Sequence, residues 1–178
     1  EGYLKDIPPR TGSTALVRVN LSDMEEFDVK VGYGKFAKGG RLGYNLAGRA
    51  GEAELSVGGK KYTNTLSACP PSNGDSIVKF RLGKAAQEFR TSVALNDTAQ
   101  DPQTAVTFKV LGEGKELWAS RPVQAVREVQ DCVVKVAGVD VLGAGVILRL
   151  VGGDYARIGL WTGTIYAAGM LIILFAPN

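Results

Sequence analysis

Hydrophobic and polar residues alternate along most of the chain, so that every second side chain is apolar. In residues 53–57, for example, Ala53, Leu55 and Val57 alternate with glutamate and serine. The same period of two recurs in residues 78–82, 106–110, 134–136 and 146–150. This period is typical of β-strands that place one face on a core and the other face in water.

Short clusters of turn-forming residues separate these runs, at 58–59, 72–75, 96–97 and 112–114. Residues 105–120 are predicted to form one hairpin, and only residues 84–89 and 122–129 are candidates for short helical or irregular connectors. Many short strands without long helices between them predict an all-β fold, an antiparallel β-sandwich or jelly roll. In that fold the side chains expected to point inward are Phe80, Phe108, Val110, Val134, Val136 and Leu148.

The C-terminal segment differs from the rest of the chain. Residues 158–178 carry no charge, and 170–175 are six consecutive large apolar residues. As a helix the segment would be about 30 Å long, enough to cross a bilayer, but glycines at 163 and 169 favour two buried strands instead. A contact with another copy is the third alternative. We divide the chain into a sandwich at 1–161 and a tail at 162–178, and expect the tail to contact another chain or a membrane.

The composition removes several classes of function. A length of 178 residues corresponds to one domain, and the 21 basic and 18 acidic residues are spread along it, unlike the basic patches of nucleic-acid-binding proteins. The absence of histidine excludes Ser-His-Asp and Cys-His catalysis. Paired carboxylates such as those of Asp97 and Asp101 lack a supporting glycosidase pattern, so we expect no enzyme activity.

Two cysteines, Cys69 and Cys132, stand too far apart in sequence for a CxxC motif. They form either one disulfide, if the chain is exported, or two buried thiols. The spacing does not choose between these states.

Oxygen-bearing side chains cluster directly after a predicted strand. Asn96, Asp97 and Asp101 lie in one short loop, as a structural calcium site requires. The same residue types form turns through their own hydrogen bonds to the backbone. We therefore expect either a calcium site or a loop braced by side chains.

Aromatic rings with neighbouring amides suit the binding of sugars, because a pyranose ring stacks on an aromatic face while its hydroxyls need polar partners. Tyr62 and Asn64 follow a predicted strand and precede a proline-rich turn, which makes them the best loop candidates. Trp118 lies within a hairpin strand and is expected in the core.

Six short stretches carry recognisable motifs in a fixed order. Residues 3–7 read YLKDI, 55–62 read LSVGGKKY, and 64–72 read NTLSACPPS. Residues 80–97 contain FRL, then Phe89 and VALND, whereas 106–120 read VTFKVLGEGKELWAS and 134–142 read VKVAGVDVL. Together they resemble the NPCBM family, related to carbohydrate-binding module family 51, over residues 1–161.

The resemblance implies a galactose-binding-like jelly roll that recognises extracellular glycans, galactose-containing ones among them, as a non-catalytic module of a secreted or cell-surface protein. It also implies roles in sugar binding for Ser72 and Trp161, which fall within family motifs. Two histidines of those motifs are missing here, near Ala68 and before Trp161. The alternative is an assembly protein that keeps the sandwich without binding sugar and associates with itself through the apolar tail.

Overall fold

The computed structural model describes residues 16–43, 53–71, 74–99, 105–148 and 165–175, with backbone alone for residues 16, 33, 146–148 and 165–175. These residues contain thirteen β-strands and one 3-10 turn, Leu21–Asp23, but no α-helix. The strands are β1 (Leu16–Asn20), β2 (Glu26–Lys30), β3 (Tyr33–Lys38), β4 (Ser56–Val57), β5 (Lys60–Lys61), β6 (Thr65–Cys69), β7 (Gly74–Arg81), β8 (Ala86–Leu95), β9 (Val106–Gly112), β10 (Lys115–Ala119), β11 (Val129–Lys135), β12 (Val141–Leu148) and β13 (Ile165–Phe175).

The strands form two antiparallel sheets and one small hairpin. The six-stranded sheet has the order β11-β8-β13-β6-β3, with β1 also paired to β13, and the five-stranded sheet has the order β10-β9-β12-β7-β2. Strands β4 and β5 form a separate two-stranded sheet. The predicted antiparallel β-sandwich is therefore confirmed.

Side chains from both sheets meet in one core between them. Phe80 from the five-stranded sheet and Phe89 from the six-stranded sheet are fully buried there. Of the predicted core residues, Phe80, Phe108, Val110 and Val136 are buried, and Val134 is half-buried against the core. The side chain of Leu148 lies outside the described residues.

The hairpin predicted at residues 105–120 is confirmed as β9 and β10 around Glu113 and Gly114. Residues 122–128 form an irregular connector with one bridge at Val123, and β11 begins at Val129. The prediction for 84–89 is wrong for most of that segment, because β8 already begins at Ala86. The pairing of β8 with β13 skips Gln87, and this bulge places Ala86 and Phe89 on the core side although they are three residues apart.

The C-terminal apolar segment is a strand within the sandwich. One edge of β13 pairs with β8, and the other edge pairs with β6 over Ile165–Ala168 and with β1 over Leu171–Phe175. The segment is thus one strand across residues 165–175, and a register shift falls near Gly169, where a break was expected. The expected contact of the tail with another chain or a membrane stays a prediction. No helix among the described residues has the length and apolarity needed to span a bilayer.

Neither cysteine is in a disulfide, and both are buried. Cys69 on β6 and Cys132 on β11 belong to the same sheet, in which β13 and β8 lie between their strands. Three strand spacings amount to roughly 14 Å, about twice the distance that a disulfide can bridge. Burial raises the pKa of the Cys132 thiol to about 12. Of the two expected states, the structure has the buried thiols.

Candidate binding site

The hairpin of β4 and β5 covers the outer face of the six-stranded sheet. Val93 and Leu95 of β8 point into the core, whereas Ala94 between them contacts a second, smaller apolar cluster. That cluster contains Leu55 and Val57, whose alternation with polar neighbours makes the inner face of the hairpin segment apolar. The remaining buried member is Leu42, from the loop after β3. We call this hairpin with its cluster the hairpin layer.

Asn96, at the end of β8, ties the hairpin layer to the sheet. Its side chain is completely buried. Its Oδ1 accepts a hydrogen bond of 2.8 Å from the backbone N–H of Ser56, and its Nδ2 donates one of 2.7 Å to Thr98 Oγ1. A buried amide requires such partners, because an unpaired polar group would keep its full desolvation cost.

Asp97 holds the turn of the same hairpin with both carboxylate oxygens. The Gly58 N–H donates to Oδ1 at 2.7 Å and the Gly59 N–H donates to Oδ2 at 2.8 Å. The Asp97 N–H in turn donates to the Ser56 carbonyl at 2.9 Å. Partial burial works against the charged form, but the hydrogen bonds from Gly59, Ser56 and Gly58, together with the charge of Arg127, lower the pKa of Asp97 overall.

Two of the residues proposed for calcium, Asn96 and Asp97, thus contact the backbone of the hairpin. The bracing role expected of Asn96 and Asp97 is what their contacts show, while Asp101 lies outside the described residues. Within the described part of the chain, no three acidic, cysteine or histidine side chains come together as a metal site would require. Calcium binding stays a prediction.

Tyr62 follows the hairpin and lies on its edge. The side chain is half-buried against the apolar cluster, and the Lys60 ammonium stands 5.0 Å from the ring centroid, within the range of a cation–π contact. Gly40 packs against the Tyr62 backbone so closely that an added Cβ would come within 2.6 Å of the Tyr62 carbonyl oxygen. Tyr62 is therefore held in place on two sides.

Asn64 lies exposed two residues after Tyr62 and directly before β6. The next residue, Thr65, is buried, and its Oγ1 accepts a hydrogen bond of 2.9 Å from the Gly40 N–H. Tyr62 and Asn64 therefore share one braced loop, as their closeness in sequence suggested. Ser72 and Trp161, which the family resemblance adds to the site, lie outside the described residues.

Sequence reasoning missed the roles of Leu42, Gly40 and Lys60. Leu42 gave no signal, because it stands among glycines and does not belong to an alternating run. Lys60 could have been noticed through its spacing, since residues two apart on a strand lie on the same face.

A cavity of about 50 Å³ lies between the two sheets. Its lining is mostly apolar and includes Leu66, Val78, Phe108 and Trp118. Ligand pockets usually measure about 300–1,000 Å³, so this space is too small for a sugar ring with its hydroxyls. The surface around Tyr62 is the better candidate.

The model of the NPCBM/NEW2 domain matches residues 17–155. The chain belongs to the NPCBM family. The match begins within β1 and extends past β12, so it includes the whole five-stranded sheet, the hairpin layer and every strand of the six-stranded sheet except β13. No curated protein matches the sequence of the chain.

Solved structures of carbohydrate-binding modules share the NPCBM fold seen here. The CBM51-2 and INT domains of ZmpB from Clostridium perfringens align with a TM-score of 0.64 and 16% identity, over 91% of this chain and 32% of that chain. CBM51 from the Clostridium perfringens GH95, in complex with methyl-galactose, aligns with a TM-score of 0.61 and 19% identity, over 88% of this chain and 99% of that chain. The tandem CBM51 modules of Sp3GH98 from Streptococcus pneumoniae align with a TM-score of 0.68 and 13% identity, over 92% of this chain and 49% of that chain.

These identities support a shared fold and nothing finer. The chain spans about a third of the ZmpB structure that it matches, and nearly all of the GH95 module. The ZmpB module has also been solved in complex with GlcNAc.

Proposed function

We propose that this NPCBM domain is a non-catalytic carbohydrate-binding module that recognises extracellular glycans, galactose-containing ones among them. Its family membership supports the proposal, as do similar folds that were solved with methyl-galactose and with GlcNAc. The observation that carries it is the placement of Tyr62, a half-exposed residue on a braced loop that also holds the exposed Asn64 two residues later.

The geometry around Tyr62 suits the chemistry of a sugar. An aromatic ring offers a flat apolar face to the C–H groups of a pyranose, while the amide of Asn64 can donate to and accept from hydroxyl groups. Lys60 is exposed and flexible, so its ammonium can leave the ring face or donate to a hydroxyl. Because the loop is already held by Gly40 and Thr65, little ordering is lost on binding.

A single stacking ring with a few hydrogen bonds gives modest affinity. We expect dissociation constants between micromolar and millimolar, about 4–8 kcal/mol of binding free energy. Ser72 and Trp161 complete the proposed site. Attachment to a larger secreted or cell-surface protein would raise the avidity of such a module.

The experiment is a glycan-array screen of the chain with and without calcium, followed by calorimetry on the best ligand. Tyr62→Ala should weaken binding at least tenfold, and Asn64→Ala should weaken it less. The matched control is Phe27→Ala, because Phe27 also carries a basic side chain over its ring, that of Arg81 at 4.5 Å, but belongs to the other sheet. Absence of any glycan ligand, or equal loss in both aromatic variants, would contradict the proposal.

We also propose that calcium binds at the loop of Asn96, Asp97 and Asp101. A carboxylate retains acceptor capacity after two hydrogen bonds, so Asp97 can keep its hydrogen bonds to the Gly58 and Gly59 amides while it binds a cation. Calcium should then raise the melting temperature by mass action, and a chelator should reverse the rise. An unchanged melting curve in both conditions would contradict calcium binding, and the role of Asn96 and Asp97 would then be their hydrogen bonds to the hairpin backbone.

The assembly protein remains the alternative function. It rested on an apolar tail whose side chains need a cover; both edges of β13 pair within the sandwich, which gives the backbone of the tail its partners, and the assembly alternative stays a prediction. Burial of the Tyr62 loop by a neighbouring chain would still favour assembly over sugar binding.

A further inference from the structure

Strand β11 forms an edge of the six-stranded sheet, since it pairs with β8 and with no other strand among those described. Its side chains alternate cleanly between buried and exposed positions up to Val133. Val129 and Val133 are 50% and 54% exposed, the highest values among the large hydrophobic residues that the structure describes. Asp131 and Lys135 share this exposed face with them.

The backbone of these four residues points to the open edge. The Val136 N–H donates to the Gln87 carbonyl at 2.9 Å, so this residue directs its backbone groups toward β8. In an antiparallel ladder the direction alternates from one residue to the next. Residues 130, 132 and 134 therefore face β8, whereas 129, 131, 133 and 135 present N–H and C=O groups to solvent. An exposed edge with apolar side chains is a template for a further strand.

We propose that β11 pairs antiparallel with β11 of a second copy of this chain, with the twofold axis at Val133. The two copies of Val133 then lie opposite each other, and Asp131 of each copy lies opposite the partner's Lys135. In this register, the hydrogen bonds between the two copies involve only residues whose backbone groups point to the open edge.

The charges of the strand select this register. Axes at Asp131 or Lys135 would place like charges opposite each other, and axes at Cys132 or Val134 would leave both charges opposite apolar residues. Among the residues of β11, only the axis at Val133 places Asp131 opposite Lys135, which gives two opposite-charge pairs, and such pairs stabilise antiparallel neighbours. Asp131 Oδ1 accepts a hydrogen bond of 2.6 Å from Ser92 Oγ on β8, so Oδ2 is the oxygen that would meet the partner's Lys135.

The contact is small, so the dimer is weak. A strand of seven residues buries less surface than a standard interface, and we expect a micromolar or weaker dissociation constant. The pairing does not depend on sugar binding. A dimer would nevertheless carry two copies of the proposed glycan site, and two linked sites bind a multivalent glycan with higher avidity.

The first test is sedimentation of the full chain from about 1 μM to about 1 mM. Wild type should shift from monomer toward dimer, and Val133→Lys should raise the dissociation constant at least tenfold. Val29→Lys is the matched control, because Val29 is an exposed valine on β2, the edge strand of the other sheet. A wild type that stays monomeric throughout, or a dimer that Val133→Lys leaves unchanged, overturns the proposal.

Two further sets of variants test the register. Asp131→Lys and Lys135→Asp should each weaken the dimer, and the double variant should restore it, because the opposite-charge pairs are regained. Val133→Cys should cross-link under mild oxidation, since hydrogen-bonded partners lie about 5.5 Å apart at Cα, within disulfide range. Cys69 and Cys132 are buried and should stay reduced. Equal cross-linking of Val129→Cys, or no rescue by the double variant, contradicts the register.

Discussion

The carboxylate of Asp97 should be the main support of the Gly58–Gly59 turn, and Asp97→Asn tests this directly. The variant keeps the size of the side chain, but it replaces one acceptor oxygen with an amide that faces an N–H donor. Hydrogen bonds to a charged acceptor contribute about 1.5–3 kcal/mol each when buried. One bond is retained in weaker form, and the turn is exposed. We therefore expect a loss of about 1–2 kcal/mol.

For a chain of this length, each kcal/mol moves the melting temperature by about 2–4 °C. Asp97→Asn should therefore melt about 2–8 °C below wild type at pH 7. Hydrogen exchange gives the local reading, because the Gly58 and Gly59 amides should lose protection while core amides of β9 lose little. Asp75→Asn is the control, since Asp75 is an exposed carboxylate at the start of β7.

The same reasoning predicts a pH dependence with a definite sign. The pKa of Asp97 is lower in the folded protein than in the unfolded chain. The stabilisation of the folded state by the Asp97 carboxylate is therefore complete above the unfolded pKa of about 3.9. The contribution disappears as the pH falls through the lower folded pKa. Wild type and Asp97→Asn should therefore converge in stability in acid. Equal melting temperatures of the two proteins at pH 7, or a difference that persists unchanged in acid, would refute the stabilisation of the turn by the Asp97 carboxylate.

Three other variants test the core, the tail and the Tyr62 loop. Phe108→Ala removes a 4%-exposed side chain from the core and should cost about 3–5 kcal/mol in chemical denaturation; melting within a few degrees of wild type would contradict the strand register. Deletion of residues 163–178 should unfold the chain in circular dichroism, because β13 pairs with three strands, and a folded, soluble product would show that β13 is dispensable. Gly40→Ala should destabilise more than Gly39→Ala, because both glycines have positive φ but only Gly40 would meet backbone within 4 Å; equal melting temperatures would refute that contact.

Most of the strands could be predicted because their signal is local. Alternation alone located the strands at 78–82 and 106–110, and turn residues located the hairpin at 105–120. The start of β8 was missed for the reason that its bulge at Gln87 breaks the alternation. A bulge is stabilised by the partner strand, so the sequence of β8 carries no separate sign of it.

The sequence by itself determined the class of fold and which face of many strands is apolar. It also singled out Tyr62, Asn64, Asn96 and Asp97 as candidate site residues. Only the tertiary structure decided what these residues contact. Asn96 and Asp97 bind a hairpin about 40 residues earlier in the chain, and Gly40 meets Tyr62 across the hairpin segment.

The tail shows the same limit most clearly. Its apolar run signalled that something must cover it, but the run reads alike for a bilayer, a second copy or the middle of a sheet. The place of the segment in the sheet depends on which strands have a free edge once the others have paired, and that is a property of the whole sandwich. Strand β13 fills the gap beside β8, with β6 and β1 on its other edge.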